Sequence, residues 1–382
     1  MAPGDDSATF ATVLTTVARA GRPGRELAVG LDLVRSMGVR QAWRRGHEHL
    51  RRRQVGVHRR HGSVEGIWTD AARELGAEVR ELPGGFLEIR QGAGLTRIWK
   101  HWVMLDDIVS ARLALEKALG HRLLSEAGLP VPDHLEFDAR DLAGARGFLQ
   151  ATGGPCVVKP VGAAGGTGIT PGVRSVTQLR RAVLRAGRRS SRLLIEPQVP
   201  GDVYRLLLLD GELLDAIRRF PPTVTGDGNA NIGQLIAAEN ARRRTAPGGP
   251  RWHLTVDLDC LFTLEDAGLS LSSVPAAGQR VVVKTAVNQN GAGDNSNARD
   301  EISPMLADEA ARAARALGVR LAGIDIITTD ATRSLAGRGV ILEVNATPGI
   351  HYHYAIDDPS RVVAVAVPIL RRLLDEARPT SY

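Results

Sequence analysis

The first 30 residues show no clear period of apolar positions, and the pattern firms up only from Ser63. Over 67–75 apolar residues recur at helical spacing, and Gly76 predicts the stop. Residues 86–90 and 96–100 alternate with period two, which predicts two strands joined by a turn at Gly92-Ala93-Gly94. Leu113, Leu115, Leu119, Leu123 and Leu124 fall near one face and predict a helix over 113–127. Gly128 ends it, and Pro130 and Pro132 bar its continuation. Short apolar runs at 156–161, 193–196 and 204–209 predict strands, and Asp210-Gly211 is a hairpin turn signal. Ser303 predicts a helix N-cap with Pro304 in the first turn; Leu306, Ala310, Ala313 and Leu317 recur along one face, and Gly318 ends the helix. Residues 321–327 and 339–345 predict two more strands, joined by a turn-rich link and so antiparallel. No internal repeat stands out, the class is α+β, and composition shifts place breaks near 112 and 200.

Composition adds two constraints. A chain of 382 residues with 43% hydrophobic content is long enough for two to three domains and excludes global disorder. No run of about 18 apolar residues predicts a membrane span. Acids at Asp5 and Asp6 stand where a signal peptide needs positive charge, and two cysteines make no disulfide framework, so a cytoplasmic protein is expected. The formal charge of +7 looks like that of a nucleic-acid binder. However, residues 35–62 hold nine Arg against one acid, Glu48, and the rest of the chain is close to neutral. Trp43 among these arginines is the one nucleic-acid signal; a solvated face or a contact in a homo-oligomer is the preferred reading. His47, His49, His58 and His61 lie in the same segment without the Cys or acid partners of a metal site. Attraction of an acidic substrate is a further use for the segment.

Candidate chemistry begins with Glu343 and Asn345. Residues two apart on a strand share a face, and here both are polar within a Val/Ile/Leu strand. Asp325 interrupts the neighbouring apolar strand in the same way. Three oxygen donors on adjacent strands suit Mg²⁺, which takes few protein carboxylates and leaves room for phosphate oxygens; the alternative is an ordinary solvated sheet face. Residues 162–168 hold four glycines directly after a strand containing Lys159, so backbone N–H groups there can close over phosphates. No Gly-Lys-Ser/Thr follows, so this is not a P-loop, and a surface hairpin remains open. Lysine placement sharpens the picture. Of 49 basic residues only four are Lys: Lys100, Lys117, Lys159 and Lys284. In a chain that otherwise uses Arg, a compact ammonium suits a phosphate oxygen where a guanidinium fork is too wide.

At this point the sequence resembles the ATP-grasp carboxylate–amine ligases, and within them the ATP-grasp part of the cyanophycin synthetases. The carrying segments are residues 120–132, Val157-Val158-Lys159-Pro160 with its glycine loop, Val199-Pro200-Gly201 running into Tyr204-Arg205, Gly226-Asp227-Gly228, Gly323-Ile324-Asp325, and Glu343 through Gly349. The resemblance implies an ATP-grasp fold, in which two α+β subdomains grip ATP, preceded by a smaller N-terminal α/β domain. Residues 1–112 would form the N-terminal domain, 113–200 the lid subdomain and 201–382 the subdomain with the metal site. It further implies that Lys117 and Lys159 hold ATP phosphates beneath a lid including Gly165, Gly166, Thr167 and Gly168. Glu196, Gln198 and Val199 would line the adenine pocket. Asp325, Glu343 and Asn345 would bind Mg²⁺, and Arg205, Arg219 and Lys284 would neutralise the γ-phosphate and an acyl phosphate. Substrates would be small amino acids or peptides, joined through an amide.

Two departures are visible. The family's acid for the ribose is replaced by Val203, with Asp202 one residue earlier as the substitute. No second ligase domain with a Walker-type loop follows, so polymer building by alternating ligations is not expected. His351, Tyr352 and His353 either shape the acceptor pocket, with His351 helping to deprotonate the amine, or pack a surface turn. The polar run 288–295 either grips substrate or is a solvated loop.

Overall fold

The computed structural model describes residues 64–161, 168–245, 253–287 and 291–376. The Arg-rich segment 35–62 with its four histidines, the loop residues Gly165, Gly166 and Thr167, and residues 288–290 lie outside the described residues.

Helix α1 (Val64–Glu74) leads into strands β1 (Glu78–Leu82), β2 (Phe86–Gln91) and β3 (Gly94–Trp99), which form one antiparallel sheet. Helices α2 (Ile108–Leu115) and α3 (Lys117–Glu126) follow. A four-stranded sheet takes β4 (Leu135–Asp138), β5 (Cys156–Pro160), β6 (Thr170–Val173) and β7 (Arg192–Pro197) in the order β4-β7-β5-β6, with α4 (Ala143–Thr152) and α5 (Val176–Ala186) between its strands. Next come β8 (Asp202–Leu209), β9 (Glu212–Arg219), β10 (Thr223–Thr225), α6 (Ile232–Thr245), α7 (Leu258–Asp266), β11 (Arg280–Val282) and β12 (Asn295–Asn297). Helix α8 (Pro304–Ala316), β13 (Leu321–Thr328), β14 (Gly339–Ala346) and α9 (Ala366–Glu376) complete the order. The central sheet runs β12-β9-β8-β13-β14, antiparallel throughout, and β10 pairs with β11. The α+β expectation holds.

Local chemistry explains several of these boundaries. Asp210 and Gly211 both take positive φ (51° and 87°), which a two-residue hairpin needs to match strand twist, and they join β8 to β9. The Ser303 hydroxyl accepts from the Leu306 N–H at 3.1 Å and starts α8 with Pro304 behind it. The helix expected over 113–127 is two helices instead. Glu116 leaves helical geometry (φ −88°, ψ 84°), although nothing in its residue type breaks a helix. The break makes Lys117 the first residue of α3, with its ammonium on Glu343, so a tertiary ion pair accompanies a bend that the apolar period did not show.

The central sheet is buried on both faces. Leu206 and Leu208 join Ile324, Ile326 and α8 residues such as Leu306 in one apolar cluster. Leu207 and Leu209 point the other way, into a cluster with Trp68, Ile89, Ile98 and Leu370. A third cluster fills the four-stranded sheet, with Val158, Leu179, Val183, Leu193 and Ile195, and takes Phe262 from α7. Alternation then places Arg205 on the Leu207 face of β8, and Gly323 and Asp325 on the matching face of β13. One sheet face is therefore apolar at one end and charged at the other. Among the described residues no helix is long and apolar enough to cross a membrane.

Candidate active site

Strand register brings the charged residues together. Arg205 on β8 lies directly opposite Asp325 on β13, and Asp325 lies opposite Glu343 on β14. The Arg205 guanidinium grips Asp325 with two bonds, Nε to Oδ1 at 2.6 Å and Nη2 to Oδ2 at 2.5 Å, and both residues are buried. Such a fork-to-carboxylate match fixes both orientation and charge. Lys117 donates to the other carboxylate, Glu343. Asn345, two residues along the same face, donates its amide N–H to Gly323 O at 3.2 Å and lies 3.3 Å from Glu343 and 3.4 Å from Asp325. Gly323 is required here for space: a Cβ would stand 2.7 Å from Cβ of Pro348.

The second group lies on the four-stranded sheet. Lys159 on β5 and Glu196 on β7 pair at 2.6 Å, both buried. Gln198 stands just past β7, its side chain accepting from Gly172 N–H at 2.9 Å, with Val199 half-buried beside it. Asp202 accepts from Arg218 at 2.5 Å. Gly168 leaves the glycine loop with φ 87°, a left-handed conformation that favours glycine.

Electrostatics follow from burial and pairing. Burial works against the charge of Glu343, but Lys117 and then Arg205 and Lys159 outweigh it and hold the carboxyl far below its usual range. Burial also opposes the charge of Arg205, and the Asp325 carboxylate more than offsets that. Arg219 is the contrasting case: burial, then the neighbouring Arg205, lower its proton affinity. Its guanidinium donates to Val287 O at 2.9 Å, and both Arg219 and Arg205 lie over the Tyr352 ring, at 4.8 and 5.3 Å from the centroid.

Two placements, those of Lys284 and His353, depart from the arrangement that the resemblance implied. Lys284 is engaged elsewhere, 2.9 Å from Asp257 and 3.7 Å from Asp259, in a buried network that Asp257 extends to Arg185 on α5. A buried ammonium needs its own counter-charges, and these two carboxylates supply them. His353 does not face a pocket: it is fully buried and its Nδ1 lies 2.7 Å from Asp215. His351 and Tyr352 are half-buried neighbours with ring centroids 4.3 Å apart.

Sequence reasoning also missed two residues. Asp215 interrupts the apolar strand Leu213-Leu214-Asp215-Ala216-Ile217, the same signal that singled out Asp325. His121 is buried, its Nε2 2.8 Å from Leu342 O and its ring packed edge-on to His134; burial and then Lys159 lower its pKa to about 4. Its place, one helical turn after Lys117, was the available signal.

The donor set fits Mg²⁺. Asp325 and Glu343 are hard oxygen donors on adjacent strands, few enough to leave room for phosphate oxygens, and among the described residues no group of three or more His, Cys, Asp or Glu is placed to hold a metal by itself. Both carboxylates are also paired with cations, Glu343 with Lys117 and Asp325 with Arg205. A bound Mg²⁺ would supply charge neutralisation for phosphate oxygens and would be held by Asp325 and Glu343; Asn345 would offer its amide oxygen only after turning over, since its N–H group faces both carboxylates.

No protein-family model matches the chain. The chain is 30% identical over 318 residues to the cyanophycin synthetase of Geminocystis herdmanii, covering 80% of this chain and 36% of that protein. It is 32% identical over 299 residues to the cyanophycin synthetase of Trichormus variabilis, covering 77% and 33%. The glutathione biosynthesis bifunctional protein of Mannheimia succiniciproducens is 28% identical over 302 residues, covering 76% and 40%. The chain thus spans about a third of the length of the curated relatives it matches. Among solved structures, a bifunctional glutathione synthetase from Pasteurella multocida superposes with a TM-score of 0.55 at 22% identity, covering 82% of this chain and 44% of that one. By sequence the chain is similar to about a third of the length of cyanophycin synthetases, and it carries the ATP-grasp fold, whose ligases use ATP and Mg²⁺.

Proposed function

We propose that the chain is an ADP-forming ligase that joins two amino-acid-like molecules through an amide, with ATP and Mg²⁺. The observation that carries this reading is the unbroken row Arg205–Asp325–Glu343–Lys117 across three strands and a helix start, with the buried pair Lys159–Glu196 on the second sheet. Residues 113–200 would act as the lid subdomain and 201–382 as the subdomain bearing the metal ligands.

In this reading Lys117 and Lys159 hold ATP phosphates as compact cations, and Glu196 to Val199 face the adenine. Asp202 is the substitute for the ribose contact. Arg205 and Arg219 neutralise charge as a substrate carboxylate attacks the γ-phosphorus. The acyl phosphate that results is attacked by the amine, which forms the C–N bond and expels phosphate. Such a sequence needs positioning and charge neutralisation more than covalent help from the protein. Lys284 reaches phosphate in this scheme only by leaving Asp257. Substrates are amino acids or short peptides in the cytoplasm, in a specialised-metabolite or modified-peptide setting. A homo-oligomer is the expected assembly, in keeping with the exposed apolar side chains of Ile108 and Val109 on α2.

The test is to incubate the chain with ATP, Mg²⁺ and a panel of amino acids and short peptides, and to follow ADP and phosphate while products are identified by mass. Substrate-stimulated release with a matching amide product is expected. Release that no pair of substrates stimulates overturns the reading.

A further inference from the structure

Asp215 and His353 take no part in the chemistry above, and both are fully buried. Asp215 stands on the charged face of the central sheet, because Asp215, Ile217 and Arg219 alternate along β9 and Ile217 lies opposite Arg205. Its two oxygens are both used: Oδ2 lies 2.7 Å from Nδ1 of His353, and Oδ1 accepts the amide of Asn297 at 2.8 Å. A carboxylate acceptor requires the proton on Nδ1, which leaves Nε2 as an acceptor, and Nε2 has no partner among the described residues. Burial lowers the ring's proton affinity, Asp215 opposes that, and Arg205 and Arg219 add to the lowering. The imidazole is therefore held neutral against Asp215, with the two guanidinium charges adding to burial in disfavouring a second proton.

His353 also ends the short 3₁₀ turn Ile350–His353, with Tyr352 immediately before it. The chain beyond is tied to the same sheet edge: Asn295 donates its amide to Ala355 O at 2.9 Å, and Asp357 N–H donates to Asn295 O at 2.8 Å. Tyr352 carries both guanidinium groups on its ring.

We propose that the buried Asp215–His353 pair is a positioning device: held in one tautomer by Asp215 and Asn297, His353 pins the turn so that Tyr352 lies across Arg205 and Arg219 and sets where those cations meet the reacting groups. The proposal rests on the ligase reading for its consequence, but not for its geometry. His353 acts through Tyr352, so it is a positioning residue and not a catalytic one.

The test uses the full chain with His353→Ala, His353→Asn and Asp215→Asn. In His353→Asn the side-chain amide N–H stands where Nδ1–H stood but offers nothing at the place of Nε2. His353→Ala is expected to lower kcat about tenfold or more, with KM for ATP changed less than about twofold, and His353→Asn to restore most of the loss. Asp215→Asn, which leaves one acceptor oxygen for the two donors of His353 and Asn297, is expected to lower kcat in the same direction as His353→Ala. Thermal melting confirms that each variant is folded. Nitrogen-15 NMR of labelled histidine is expected to show His353 as the Nδ1–H tautomer, untitrated over about pH 6 to 8. Finding the Nε2–H tautomer overturns the proposal, whether or not turnover is seen. With an active parent, a folded His353→Asn as slow as His353→Ala also overturns it, since the missing Nε2 would then be what matters. If the parent shows no turnover while the tautomer is as expected, the ligase reading fails and the anchoring geometry stands.

Discussion

Arg205→Met should expose how the metal pocket is held together. Arg205 and Asp325 are 8% and 7% exposed and share two short bonds. Replacing the guanidinium with a thioether of similar length keeps the packing but leaves a buried carboxylate next to Glu343 without its bidentate partner, with only the more distant charges of Arg219 and Lys117 to oppose it. Breaking a buried pair from one side costs about 3–5 kcal/mol, so the unfolding constant should rise by roughly two to four decades. Equilibrium urea unfolding without divalent ions measures it. Removing both charges, in Arg205→Met/Asp325→Leu, should recover most of the loss, because the cost lies in the orphaned carboxylate and not in a missing attraction. Mg²⁺ should also restabilise the single variant, by about 3 kcal/mol at a hundredfold excess over its Kd, and should not do so for the double variant. A single variant within about 1 kcal/mol of the parent, or a double variant as unstable as the single one, would refute the reasoning.

Two further outcomes rest on the same geometry. Lys159→Arg keeps the charge but places a wide fork beside Glu196 in a buried pocket, so ATP-dependent turnover should fall on the order of 100-fold; near-parental kcat/KM would show that a compact cation is not needed. His121 has a folded pKa of about 4 against an unfolded value of about 6.5, so the unfolded chain takes up the proton first; stability is intact above the unfolded pKa and is lost as pH falls toward 4. Between pH 7 and 5 this group should remove about 2 kcal/mol, and His121→Gln, which keeps a donor for Leu342 O, should flatten that part of the urea-stability profile. An unchanged profile would mean the ring already carries a proton when folded.

What the sequence determined by itself was the chemistry of short range. The apolar runs at 321–327 and 339–345, the Asp210-Gly211 turn and the Ser303 cap are properties of neighbouring residues, and they predicted the strands, hairpin and helix start that are observed. Polar residues inside apolar strands marked Asp325, Glu343 and Asn345 for the same reason: a strand face is legible at period two. The same rule applied to Asp215 would have found it. Tertiary structure decided the rest. Which cation sits on which carboxylate depends on strand order and register, and β8 pairs with β13 across more than 100 residues of chain. The break at Glu116 and the burial of His353 have no local signature, because each is set by a partner supplied from a distant strand. Lys284 shows the limit most directly. Its scarcity marked it as a residue with a purpose, but only the fold revealed that Asp257 and Asp259 hold it, because the desolvation of a buried ammonium is compensated by whatever carboxylates the chain brings to it.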